Sequence, residues 1–414
     1  MPLMAPTCLA PTPRRGAARG SPQICEDPLM AWTRNRPIGL THDDPEHSSG
    51  GYTMYASARG HHAVVLDAHG QIVHDWFHPE GIQHTRLLPD GHLLVQTLPP
   101  EDADGAEKIG GSAGALLELD WDGNVVWEYR DRFMHHDYQR LPNGNHLVVA
   151  WDRLPTGLHS EIQGGHAWHE DPQQMWADVI KEITPDGAVV SEWRSWEHLS
   201  FADHVICPLE SHKEWTHCNS LEVTPHGKWL LSFRLTSTIV LVDPASGAVE
   251  WTWGPDEISH QHNASWLPND HILLFDNGCH RRRAPSFSRV VEMDPATGET
   301  VWSYYAPTIV AFFSFMVSGC QRLDNGNTLV TEGASGRLFE VTHDHDIVWE
   351  YVSPWILPST FGPTPVVFRS HRIAADDPWL AGRTLDPDAF GRANAAIAAG
   401  TVLGADEDLL PLRD

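Results

Sequence analysis

Asp120-Trp-Asp-Gly-Asn-Val-Val-Trp-Glu-Tyr129 is a phrase that this chain writes six times. An acidic or Thr-led turn is followed by Gly or an equivalent, then by an apolar run that ends in an aromatic. The other copies occupy residues 67–76, 184–193, 243–253, 294–304 and 342–351. Their starts lie 53, 64, 59, 51 and 48 residues apart. Periods near 40–50 residues carrying several short strands each are the mark of propeller blades. Asp-Gly and Asn-Gly beside β-branched residues make hairpin turns.

A second phrase, Leu88-Pro-Asp-Gly-His-Leu-Leu-Val95, recurs at 141–148, 224–231, 267–274 and 323–330. It reads as the turn between the innermost strand of a blade and the next. Five copies against six of the first leave one inner strand to come from elsewhere. Pro365-Val-Val-Phe-Arg-Ser-His-Arg-Ile373 suits that place, pairing with the sheet of residues 52–76 and closing the ring. Closure removes edges that invite aggregation. The expected fold is therefore all-β: a six-bladed β-propeller of four-stranded antiparallel blades around a central funnel, spanning 49–375. Residues 1–48, rich in Pro, Arg, Gly and Ser, read as a disordered or wrapped arm, and 376–414 as a partly helical tail. The Trp or Tyr closing each outer strand follows the structural period, which makes it a wedge between blades rather than a cofactor cage.

Composition narrows the function. A net charge of −27 argues against nucleic acid and anionic membranes as partners, since both need a basic face. The six cysteines are scattered with no CxxC pair, which favours free thiols in a reducing compartment. No stretch approaches the ~20 apolar residues of a membrane span, and the Arg-bearing leader has no apolar core behind it. These features point to a cytoplasmic protein acting on a small molecule, with homo-oligomerisation left open.

Inner strands line the channel of a propeller, so the residues just before the second phrase carry the chemistry. They are Gln83-His84, His135-His136-Asp137, His217 with Asn219, His260 with His262, and Ser318. Adjacent strand residues face opposite ways, so only one of His135 and His136 enters. His136 stands six residues before Pro142, as His262 stands six before Pro268. In Trp215-Thr-His-Cys-Asn-Ser220, His217 and Asn219 share a face, while Cys218 turns away into a structural role. Arg234 ends the otherwise apolar Leu230-Leu-Ser-Phe-Arg234 and needs a ligand anion or a structural Asp. His84 either caps its turn or serves the site, and His260 sits nearer the rim. Arg281-Arg-Arg283 reads as a solvated loop in preference to an anion guide.

Imidazole is a base and a nucleophile near its ordinary pKa of about 6.5. One His could attack an electrophilic sulfur or phosphorus while Arg234, Asn219 and further histidines hold the developing charge. Alternatively His84, His136, His217 and His262 could bind one divalent metal ion, with Asp137 as an outer partner. Such an ion would serve a lyase, hydrolase or oxygenase acting on an aromatic compound. A non-catalytic ligand-binding propeller is the third reading.

Taken in order, Trp-Thr-His217-Cys-Asn219-Ser, Ser-Phe-Arg234, His262-Asn, Phe275-Asp-Asn-Gly278 and Ser288-Arg-Val-Val-Glu292 resemble the arylsulfotransferase family. His135-His136-Asp137 and 318–330 fit as well. The resemblance covers about residues 51–372 and implies a six-bladed propeller that moves sulfuryl groups between phenols through a sulfohistidine, without a nucleotide donor. It makes His262 the nucleophile, with His136, His217, Asn219 and Arg234 on the sulfuryl oxygens and in proton transfer, and Ser318 nearby. On that reading the partner is a small aromatic substrate and no cofactor is required. The extra N-terminal β domain, export and disulfide of the family's characterised type are not evident here, while His84 and His260 add imidazoles.

Overall fold

Each copy of the outer-strand phrase closes an antiparallel sheet. The computed structural model describes residues 37–105, 109–166, 175–359, 362–404 and 412–414. Six blades follow one another, and blades 2 to 6 each run from an inner to an outer strand in chain order. Blade 2 holds His84–Leu87, Leu93–Gln96, Ala115–Leu119 and Val125–Arg130. In blade 3 the strands are Met134–Arg140, His146–Arg153, Trp176–Ile183 and Val189–Arg194. Blade 4 is Cys218–Val223, Trp229–Phe233, Thr238–Val242 and Val249–Trp253; blade 5 is His262–Trp266, Ile272–Asp276, Arg289–Asp294 and Glu299–Tyr304. Blade 6 is Gly319–Arg322, Thr328–Glu332, Arg337–Val341 and Ile347–Val352.

Blade 1 takes its inner strand from the far end of the chain. Val367–Ile373 pairs antiparallel with Tyr52–Ser57, Tyr52 opposite Ile373 and Ser57 opposite Val367; His62–Leu66 and Ile72–Phe77 complete it. The molecule is thus the six-bladed β-propeller expected, closed by N- and C-terminal segments. Four strands exceed that scheme: Gly164–His166 and Ile206–Ser211 pair parallel with each other, and two more join the blades. Gly39–Asp43, within the segment read as an arm, adds a fifth strand to the outer edge of blade 6, and Glu214–Trp215 pairs parallel with the start of Trp176–Ile183. Residues 1–36 lie outside the described residues.

The middle strands are buried on both faces, so they read as continuous apolar runs instead of alternating ones, as in Leu93-Leu-Val95 and Ile272-Leu-Leu-Phe275. Between blades the outer tryptophans do more than fill space. Trp76 donates its indole N–H to Asp120 O, Trp127 to Pro185 O, Trp193 to Gly247 O, Trp253 to Gly298 O, Trp302 to His343 O and Trp349 to Ala68 O. Every acceptor belongs to the outer turn of the following blade, so the sixth bond returns to the first. Around the C-terminus, Phe390, Ala393 and Ile397 pack beside Trp349 and Tyr351. Asn394 there accepts from Ile72 N and donates to Ile72 O, capping the free edge of blade 1.

Candidate active site

The leading ends of the inner strands converge on the axis. One carboxylate ties four of them. Asp137 of blade 3 accepts from Arg369 Nη1 of blade 1 at 2.9 Å, from Arg86 Nη2 of blade 2 at 3.2 Å, and from Leu221 N of blade 4 at 3.0 Å. Burial pushes this carboxyl up, but Arg369, Arg86 and His84 more than offset it and hold it well below the usual range. Arg369 also donates to Asn219 O at 2.9 Å. A buried charge so surrounded is a rigid floor for whatever sits above it.

Above this floor lie His136, His217 and His262, all buried. The His136 and His217 rings are 4.5 Å apart. His262 lies close enough to Arg234, His217 and Arg369 to feel their charge: burial first, then Arg234, keeps its imidazole neutral well below the ordinary value. His136 is lowered too, by burial and then by His217 and His135. His136 (φ 50°), His217 (φ 59°) and Ser318 (φ 89°) are left-handed, as is Asn263 (φ 51°) beside His262. This costly conformation for non-glycine residues recurs where four inner strands begin.

The hydrogen bonds around the rings fix their tautomers. Asn277 donates both amide hydrogens, to Ser314 O at 2.8 Å and Val317 O at 3.1 Å. Its Oδ1, 2.7 Å from His262 Nδ1, can therefore only accept. Nδ1 of His262 carries the proton and Nε2 keeps its lone pair. His217 repeats the pattern, donating from Nδ1 to Glu214 Oε2 at 2.7 Å. His136 Nδ1 meets His135 Nδ1 at 2.8 Å, and His135 Nε2 lies 3.3 Å from Asp178 Oδ1 while its ring stacks on Trp151. His136 thus faces the axis and His135 turns into the blade. Asp178 also accepts from Thr216 Oγ1 and from Cys218 N, which shapes the bulge presenting His217.

Other singled-out residues divide. Arg234 donates to Glu210 Oε1 at 2.9 Å, so its structural carboxylate is a Glu from Ile206–Ser211 rather than an Asp. Burial raises Glu210, yet His260, Arg234 and His280 bring it down to about 2. His260 is displaced from the three histidines and approaches Glu210 Oε1 at 3.0 Å. Asn219 donates to Gln261 O at 2.7 Å, joining blades 4 and 5, and its Oδ1 is buried without a partner. Ser318 Oγ donates toward Ser314 Oγ and accepts from Gly333 N, so it supports the Asn277 shelf and is not free to react. His84 packs against Phe368, with Nδ1 4.0 Å from Asp137 Oδ1. The donor atoms of His84, His136, His217 and His262 do not all lie within 4.8 Å of one another. Among the described residues, the groups with donor atoms within 4.8 Å of one another are Cys207–His260–His280 and Asp90–His92–Glu118. Arg281 is taken by Asp276 at 2.7 Å, and Arg282 and Arg283 line a cavity at the rim.

Gly111 covers the cluster. A Cβ there would fall 2.1 Å from the His136 ring, and its φ of +83° suits glycine alone. Its carbonyl accepts from His136 N and Gln83 Nε2. Glu214, Asn277, Asp178, Arg369 and Gly111 went unassigned in the sequence; only Phe275-Asp-Asn-Gly278 hinted at Asn277.

Fold and site define a β-propeller with a buried axial cluster of oriented imidazoles. The family model described as Arylsulfotransferase (ASST) matches residues 84–353, about two thirds of the chain. The chain belongs to the arylsulfotransferase family, which implies a transferase. No curated protein matches it. Similar solved structures include a Bacteroides caccae protein of unknown function, 13% identical over 78% of this chain and 98% of that one, TM-score 0.48. A streptogramin B lyase is 12% identical over 76% and 82%, TM-score 0.44. Virginiamycin B lyase from Staphylococcus aureus is 12% identical over 77% and 87%, TM-score 0.40.

Proposed function

We propose that the protein moves a sulfuryl group from a phenolic sulfate to an acceptor phenol through a covalent adduct on His262. The observation that carries this is the tautomer lock: Asn277 holds the proton on Nδ1 and leaves a neutral Nε2 lone pair inside the site. A neutral ring with a directed lone pair is an activated nucleophile.

Nε2 attacks sulfur, the sulfur–aryl oxygen bond breaks, and the aryloxide leaves with a proton from protonated His217. The His262 ring now bears the sulfuryl group on Nε2 and keeps its Nδ1–H on Asn277. An acceptor phenol then gives its proton to neutral His217 and attacks sulfur; the nitrogen–sulfur bond breaks and returns the lone pair to His262. Glu214, 2.7 Å from His217 Nδ1, stabilises the imidazolium of each cycle. Arg234, His136 and Asn219 surround the sulfuryl oxygens. These steps need no cofactor.

The test is intact-mass analysis after an aryl sulfate is added. One sulfuryl adduct per chain is expected, lost in His262→Ala and discharged by a phenol. Neither adduct nor released phenol, with an acceptor present, overturns the proposal.

A further inference from the structure

Beyond the axial histidines, a second group of donors gathers at the rim. Cys207 Sγ lies 3.5 Å from His280 Nδ1, and the Cys207 sulfur, a ring nitrogen of His260 and one of His280 all fall within 4.8 Å of one another. Tetrahedral bonds of about 2.3 Å to sulfur and about 2.05 Å to nitrogen put the donors about 3.6 Å apart. The Cys207–His280 pair already has that separation.

His260 supplies the independent observation. Ser259 Oγ has one hydrogen and donates it to Cys279 O. Its oxygen therefore accepts from His260 Nδ1, at 3.2 Å. The His260 lone pair is then on Nε2, in a side chain 1% exposed. That atom makes no aligned hydrogen bond, although Glu210 Oε1 lies 3.0 Å away. Two lone pairs facing each other in a buried place call for a cation. Ser259 meanwhile supplies the outer hydrogen bond that fixes a ligating imidazole.

We propose that Cys207, His260 and His280 bind one divalent transition-metal ion of the zinc class. A thiolate with two imidazoles selects such an ion over magnesium or calcium. Three protein ligands leave a fourth position open, as in catalytic zinc sites. It faces a cavity of about 380 Å³ bordered by Ser237, Asp256 and Arg282. With Cys207 as thiolate and Glu210 matched to Arg234, the ion leaves one net positive charge. The fourth ligand is therefore a small anionic oxygen donor such as a carboxylate, or water in its absence, and binding releases the Cys207 thiol proton to solvent.

Untagged protein is stripped with a chelator and titrated with Zn²⁺ by calorimetry in two buffers of different ionisation enthalpy, and with Co²⁺ by absorption. One tight equivalent, one proton released and a thiolate-to-cobalt charge-transfer band are expected. Cys207→Ser abolishes the band, and His280→Ala weakens zinc binding by more than the roughly 10–100-fold lost with an outer partner. His262→Ala keeps the full equivalent. Absence of stoichiometric binding at micromolar zinc overturns the proposal, as does binding unchanged in both Cys207→Ser and His280→Ala, or binding lost in His262→Ala. Should Cys207→Ser fail to fold, His280→Ala, altering a residue of the rim loop, decides alone.

Discussion

Replacing Asn277 by Asp keeps the acceptor oxygen beside His262 but exchanges two N–H donors for a negative charge. Two consequences follow from the distances. Val317 O, now served at 3.1 Å, loses its donor, and Ser314 O, now served at 2.8 Å, keeps only the long 3.4 Å contact from Ser288 Oγ. At about 1–3 kcal/mol for each buried group left unsatisfied, stability falls by about 1–6 kcal/mol. The new carboxylate, 2.7 Å from Nδ1 if it keeps the amide's place, favours the imidazolium and raises the pKa of His262. In the unaltered protein, burial and then Arg234 hold that pKa well below 6.5, so the attacking ring stays neutral as pH falls past the ordinary histidine value. The acid limb of adduct formation therefore lies far to the acid side. In Asn277→Asp it moves to higher pH, and one unit below the new pKa only about a tenth of the rings remain neutral. Single-turnover release of phenol from an aryl sulfate, followed across the acid and neutral range on protein shown to be folded by circular dichroism, measures this. An acid limb that stays in place, or moves lower, refutes the tautomer assignment.

Two further expectations concern the floor and the cover. Arg369→Met strips Asp137 of its closest cationic partner and should cost about 3–5 kcal/mol in denaturant unfolding; adding Asp137→Asn should restore part of that, and a loss below about 1 kcal/mol contradicts the role of this pair. Gly111→Ala drives a methyl into the His136 ring from a left-handed backbone, so it should cost about 1–3 kcal/mol and lower phenol release at least tenfold; wild-type turnover and melting would show that the segment does not cover the site.

Periodicity made the ring legible. Six outer phrases gave six blades, and the shortfall of one inner strand pointed to residues 365–373. Position within the period also carried the histidines: His136, His217 and His262 stand at equivalent leading ends. Their partners obey no period. Arg369 reaches Asp137 across 232 residues of chain, in a strand that looked like a mere closing element. Glu210 and Glu214 come from the segment before blade 4, which repeats nothing elsewhere. Sequence leaves Arg234 between a ligand anion and a structural Asp, because it shows a buried cation but not the carboxylate, Glu210, that answers it. His84 obeyed the period yet packs against Phe368, 4.0 Å from the Asp137 carboxylate, and not in a ring stack with the other histidines.

The six indole bonds at the periphery act as a hoop. None is an end link, since Trp349 grips Ala68 as Trp76 grips Asp120. Prying any two neighbours apart must lengthen the whole circumference, so the spacing of the imidazoles at the hub is set as much by tryptophans at the perimeter as by what touches them.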